Sequence, residues 1–269
     1  MKKIITLLLA VLMCMSLAAC GSKESNNTNS NDNNTVANPL DAALISEGTI
    51  IIGTSPDYPP FETLSAAGEL EGFDIDMVNA VVSLLNEQNG TNYTVTFKQM
   101  DFSTIISALQ ASQIDVGVSG FTYSPDRDCI FSTPYIGSNQ VVVTRVDTGI
   151  TTSEDLVGKK VAAGTGTTGA EALAEIIGEG NVQHPGDYTV MFQALAAGQL
   201  DAVVCDEAVG VNYVNEMNLV MLAEPLVDEQ MSIVIKTGND TLAAAVNAAV
   251  EAFVASEDYN TLLAKWELN

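Results

Sequence analysis

Positive charge is what this chain has least of. Ten lysines and arginines stand against 34 aspartates and glutamates, a formal net charge of −24, and Arg127 and Arg145 are its two arginines. Binding to nucleic acid needs a basic face, so that class is excluded, as is adhesion to anionic lipid through a basic patch. Histidine is reduced to His184, expected to be a solvated loop residue beside Pro185-Gly186. The four cysteines, at 14, 20, 129 and 205, contain no Cys-x-x-Cys pair. Such spacing is neither a disulfide framework nor a metal site, so no metal or other cofactor is expected. Cys129 and Cys205 read as small buried residues. There is also no apolar run of the roughly 20 residues that a membrane-spanning helix needs.

What the N-terminus does hold is an address. Met1-Lys2-Lys3 is a positive n-region, Ile4 to Ala19 is a short apolar run, and Leu17-Ala18-Ala19-Cys20-Gly21 follows. Small residues before a cleavage point mark an export signal, so residues 1–19 are expected to be removed. The cysteine there resembles a bacterial lipobox. That resemblance implies a lipidated Cys20 tying the protein to the outer side of the cell membrane, with two acyl chains or more because one is marginal. An ordinary signal peptide with a chance cysteine is the other reading. Residues 21–38, GSKESNNTNSNDNNTVAN, are polar and without aromatics. Such a segment cannot bury enough surface to fold, so residues 20–39 read as lipidated cysteine plus tether.

From Gly48 onward short β-rich runs alternate with helical patterns, which predicts an α/β protein with largely parallel sheets. Strands are expected at 49–53, 93–97, 115–119, 139–145, 159–164, 201–205, 218–222 and 231–236. Helices are expected at 73–89, 102–112, 169–178, 189–198, around 240–255 and at 258–266. The chain also echoes itself. FSTIISALQASQIDVGVSG (102–120) aligns without a gap on YTVMFQALAAGQLDAVVCD (188–206), 86 residues later. Two similar lobes would then face each other, and ligands in open α/β sheets bind beyond the carboxyl ends of strands.

Four loops after predicted strands carry unlike chemistry. GTSPDYPPFE (53–62) offers Ser55, Tyr58 and a proline-stiffened turn. SGFTYSPDR (119–127) offers Ser119, Thr122 and Arg127, with a helix expected to start at Ser124 as N-cap and Pro125 next. GTGTTG (164–169) precedes a helix and can turn backbone N–H groups toward an anion, though it lacks the Gly-Lys-Ser/Thr of a phosphate loop. Asp206 opens another helix. Together these supply one cation, one anion, a nest of N–H donors, and aromatic walls in Tyr58 and Phe102. Arginine grips carboxylate with a bidentate fork, and an aspartate suits an ammonium. An α-amino acid would satisfy both. Taken singly, each piece also has an ordinary reading: a helix-initiating turn, an N-cap at Asp206, a surface pair of Arg127 with Asp126 or Asp128, core rings at Tyr58 and Phe102.

The segments YPPFE (58–62), GFDIDMVNAV (72–81), QIDVGVSGFTYSPDR (113–127), GKKVAAGTGTTG (158–169), LDAVVCDE (200–207) and YNTLLAKWEL (259–268) resemble the extracellular solute-binding proteins of polar amino-acid ABC importers. The likeness runs from about residue 47 to the C-terminus. It implies a two-lobed periplasmic-binding-protein-like fold of two α/β lobes joined by two hinge strands. Lobe one would hold 40–139 plus 232–269 and lobe two 140–231, with the hinge near 139–141 and 228–232. It implies that Arg127 binds the ligand carboxylate, helped by Thr167 and Thr168. Thr122 and Asp206 would hold the ammonium, Ser119 and Gly120 would contribute backbone contacts, and Tyr58 and Phe102 would sandwich the ligand. Ser55, Gly164 and Cys205 depart from the family pattern and imply an uncharged, roomy side-chain end, which favours a neutral polar or sulfur-containing amino acid over a cationic one. Asp57 or Glu62 could still face the pocket. The partners implied are a free amino acid, a membrane permease and, through Cys20, the membrane, with the protein a monomer and not an enzyme. The alternatives are a ligand-sensing receptor subunit or a same-fold dehydratase-type enzyme. A catalyst would need a general acid at a leaving group, and His184 lies outside the motif loops.

Overall fold

A computed structural model of the chain describes residues 48–268. The expected export signal, the lipidated Cys20 and the tether lie outside those residues.

The strands are β1 Thr49–Thr54, β2 Thr63–Leu64, β3 Leu70–Glu71, β4 Thr94–Gln99, β5 Val116–Thr122, β6 Ile130–Phe131, β7 Ile136–Thr144, β8 Val161–Ala163, β9 Ala202–Asp206, β10 Val220–Met221 and β11 Val227–Ile235. The α-helices are α1 Phe73–Asn89, α2 Phe102–Gln110, α3 Thr168–Ile177, α4 Tyr188–Ala196, α5 Glu207–Met217, α6 Asp240–Val254 and α7 Glu257–Lys265. Helix α1 has the bounds its pattern predicts. Ile75, Val78, Val82 and Leu85 recur at helical spacing and are buried, and Gly90 ends the helix in the left-handed region at φ 66°.

The main sheet runs β4-β1-β5-β11-β7-β9-β8. Helical crossovers make β1 parallel to β4 and β5, and β8 parallel to β9. The expectation of a largely parallel sheet fails at the centre. There β7 and β11 run antiparallel to each other and to their outer neighbours. Both are long strands that change partner midway. β7 pairs with β11 over Ile136–Gln140 and with β9 over Gln140–Thr144. β11 pairs with β7 up to Met231 and with β5 from there, with an irregular register between Ser232 and Val234. They carry the chain between two strand groups, β4-β1-β5 and β9-β8, that share no direct strand pairing. One side packs Ile105, Leu109, Ile114 and Val234, and the other packs Val142, Leu156, Val161 and Leu173.

The echo is real in three dimensions. Helices α2 and α4 start and end 86 residues apart, and β5 and β9 start 86 residues apart. Both turns match as well. Ser112 and Gly198 take positive φ (54° and 74°), and the N–H groups of Gln113 and Gln199 donate to the carbonyls of Ala108 and Ala194, each at 2.9 Å.

The helix expected to start at Ser124 is absent. Residues 124–127 form a β-turn closed by the Arg127 N–H on the Ser124 carbonyl at 3.2 Å, with Pro125 in its favoured second position. The chain then enters β6, whose pairing with β11 takes the backbone that a helix would need.

Candidate functional site

The carboxyl ends of β1, β5, β8 and β9 open onto a cleft of about 270 Å³. All eleven residues named from the sequence line it: Ser55, Tyr58, Phe102, Ser119, Gly120, Thr122, Arg127, Gly164, Thr167, Thr168 and Asp206.

The turn at 124–127 aims Arg127 back over the sheet end. Its guanidinium lies 5.5 Å from the Phe102 ring centre and 5.3 Å from that of Phe121, rings that stack on each other at 4.6 Å. It donates to the Thr122 carbonyl and, across the cleft, to the Gly166 carbonyl at 2.9 Å. Among the described residues no carboxylate pairs with it; the ion pairs are Arg145–Asp147 and Lys265–Asp76. The surface-pair reading with Asp126 or Asp128 therefore falls. Burial pushes the Arg127 pKa below the ordinary arginine value, the mark of a cation held where water is scarce.

Asp206 sits at the N-cap position of α5 but makes no cap bond. Its carboxylate instead accepts the Tyr58 phenol at 2.5 Å and the Ser138 hydroxyl, while its own N–H donates to the Tyr58 oxygen at 2.9 Å. Burial pushes its pKa up to about 6, against the opposing pull of the Ser138 and Tyr58 hydrogen bonds.

Thr167 caps α3, accepting the Ala170 N–H at 3.1 Å, so GTGTTG is a helix start. That start brings Thr167 and Thr168 to the cleft, next to the Gly166 carbonyl that Arg127 reaches. Thr168 donates to Glu229 at 2.8 Å, so its oxygen takes the Thr122 hydroxyl at 2.9 Å.

The uncharged, roomy lining expected from Ser55, Gly164 and Cys205 is not what surrounds the cleft. Asp57, Asp101 and Asp187 all line the cleft. Asp57 accepts the Ser55 hydroxyl at 2.7 Å and the Tyr188 N–H at 3.0 Å, and burial raises its pKa. The space above Gly164 is filled by Tyr188: an added Cβ would stand 3.0 Å from that ring. Cys205 is fully buried and Glu62 bonds to Ser119 at 2.7 Å; neither lines the cleft. Cys129 is half-buried. His184 is exposed as expected, yet it borders the cleft, with its ring 2.7 Å from the Ala163 carbonyl.

Sequence reasoning passed over Tyr188, Ser138 and Gln140. Tyr188 was within reach, because the 86-residue echo sets it opposite Phe102; it packs on Tyr58 with ring centres 4.6 Å apart. Ser138 and Gln140 carry no motif. They arrive because β7 crosses the sheet beside Asp206.

The family model for bacterial extracellular solute-binding proteins, family 3, matches residues 50–269. The glutamine-binding protein GlnH of an ABC transporter in Bacillus subtilis is 30% identical over 272 residues, 99% of this chain and 97% of that one. An ancestral arginine-binding protein bound to glutamine superposes with a TM-score of 0.74 at 33% identity, over 82% of this chain and 99% of the other. The arginine-, lysine-, histidine-binding protein ArtJ of Geobacillus stearothermophilus gives 0.75 at 27% identity, over 82% and 96%.

Proposed function

The chain belongs to the bacterial extracellular solute-binding proteins of family 3, and from that premise we propose that it captures a free polar α-amino acid and delivers it to the permease of an ABC importer. The observation that carries the reading is the opposition of Arg127 and Asp206 across one cleft. Arg127 pairs with no carboxylate among the described residues and stands beside the α3 N-terminus, fit for an α-carboxylate. Asp206 faces it from the other side, fit for an α-ammonium. The glutamine, arginine, lysine and histidine in the names of similar proteins all carry these two groups.

In this reading lobe one is 40–139 plus 232–269, lobe two is 140–231, and the hinge lies where β7 and β11 change partner. The ligand docks between Tyr58 and Phe102, and the lobes close over it. Closure comes from the ligand's differential affinity for the two states, with no bond made or broken, so the protein acts as a carrier and not an enzyme. Asp57, Asp101 and Asp187 make the cleft hostile to aspartate and glutamate. Cys20 anchors the monomer by lipid outside the cell membrane.

A thermal-shift screen against the twenty amino acids tests this directly. A ligand at 100 times its Kd adds about 2.7 kcal/mol. Polar neutral or basic amino acids should raise Tm, and acidic ones should not. A flat response to all twenty would refute the reading.

A further inference from the structure

Behind the cleft wall lie two carboxyl groups that do not line the cleft. Glu62 ends the loop carrying Tyr58, Asp74 lies in the first turn of α1, and both are fully buried. One oxygen of each is occupied. Glu62 Oε1 accepts the Ser119 hydroxyl at 2.7 Å. Asp74 Oδ2 accepts the Tyr135 phenol at 2.9 Å and the Gly120 N–H at 3.2 Å. The remaining oxygens, Glu62 Oε2 and Asp74 Oδ1, meet no donor among the described residues, and the backbone sets the two carboxyls side by side: the Asp74 N–H donates to the carbonyl of Phe61, next to Glu62, at 2.9 Å, and the groups they hold belong to the adjacent residues Ser119 and Gly120. Two buried carboxylates in contact cannot both stay ionised, and orphaned buried oxygens are costly. One proton between them removes both problems.

We propose that Glu62 and Asp74 share a single proton, and that the resulting carboxylic acid–carboxylate pair positions the Ser119–Gly120 segment of β5 on which the ligand docks. Its consequence for binding rests on the amino-acid reading; the shared proton does not.

The neighbours decide where the proton resides. Tyr135 O–H and Gly120 N–H both press donors on Asp74, so Asp74 is the anion and Glu62 the acid, donating from Oε2 to Asp74 Oδ1. Glu62 Oε1 remains free to accept from Ser119, whose oxygen in turn accepts the Ser55 N–H at 3.2 Å. A continuous chain thus ties the end of β1 and the middle of β5 to the start of α1. Burial raises the pKa of both groups, with Asp74 brought to about 6. The charged groups facing the pair, Asp57 toward Glu62 and Asp206 toward Asp74, are also acids, and they oppose loss of the proton. The pair meets because Gly72, at φ 140°, lets the α1 start press on the Tyr58 loop; a Cβ there would stand 2.0 Å from the Phe61 carbonyl oxygen.

The test uses Glu62→Gln, Asp74→Asn and the double variant. In either single, an amide NH₂ replaces one side of the shared proton and donates across the gap. In the double, two NH₂ groups face each other with no acceptor. Urea unfolding and calorimetry with L-glutamine and L-arginine should show small single effects, and a double loss at least about threefold beyond their product in both stability and affinity. Infrared difference spectra at pH 8, wild type minus Glu62→Gln, should show one protonated carboxyl that the variant lacks. An additive double variant, a missing carboxyl band, or a coupled loss of stability with unchanged affinity would each overturn the proposal. If wild type binds none of the twenty amino acids, the ligand reading fails, and the infrared band still decides the shared proton.

Discussion

Arg127 makes the sharpest demand of any single residue. A guanidinium resting on two aromatic faces and two carbonyls, with no carboxylate partner among the described residues, is stabilised only in part. In the proposed function an α-carboxylate would complete it. Truncating one member of a buried charge pair costs about 2–5 kcal/mol, or roughly 30- to several-thousand-fold in Kd. Calorimetry on Arg127→Ala should show that loss, while the circular dichroism spectrum stays that of wild type. Asp206 sets the pH response. Its folded pKa of about 6 lies above the ordinary 3.8, so the folded state holds a proton that the unfolded chain releases. Its contribution to stability is present at low pH and is lost as pH rises through about 6. Binding an ammonium runs the other way, because it needs the ionised form. Affinity should fall about tenfold per unit as pH drops below about 6, and Asp206→Asn should flatten that profile in calorimetry between about pH 4.5 and 7.5.

At the scale of elements, the loop and helix ends rather than the helix bodies build the site. Gly72 opens α1 where any side chain would strike the Phe61 backbone. Gly72→Ala should therefore cost roughly 3 kcal/mol or more, read as a lower urea midpoint at unchanged slope. Gly164→Ala would press on Tyr188 and the Thr167 methyl, an overpacking of about 1–3 kcal/mol that urea unfolding would also register. The periodic elements were legible in the sequence: α1 shows its buried stripe, and the 86-residue echo announces two matching helix–strand units. What the pattern misjudged was local and overridden by pairing. Residues 124–127 carry a good helix-start signal, yet the residues a helix would continue into form β6 and pair with β11. Gly164 suggested room, yet Tyr188 from α4 occupies it.

For the whole molecule, the excess of acid dominates. With a net charge of −24, like charges repel over the surface, and salt screens them over about 10 Å at 0.1 M. Raising sodium chloride from about 0.01 M to 0.3 M should raise Tm in scanning calorimetry. A fall would mean that the attractive pairs across the cleft outweigh the surface repulsion. The two strand groups are joined through β7 and β11 and bridged by Tyr58–Asp206, Asp57–Tyr188, Thr122–Thr168 and Arg127–Gly166. Each of these bonds joins a residue near β1 or β5 to one near β8 or β9.

By itself the sequence determined the alternation of strands and helices, the internal repeat and the residues that meet at the strand ends. Each of these depends on local periodicity or on a motif contiguous in the chain. Only the tertiary structure decided that β7 and β11 cross antiparallel, that Asp57 and Tyr188 stand in the cleft wall, and that Glu62 lies against Asp74 behind it. Those relations join residues far apart in the chain, and packing and sheet pairing, which leave no periodic trace, bring them together.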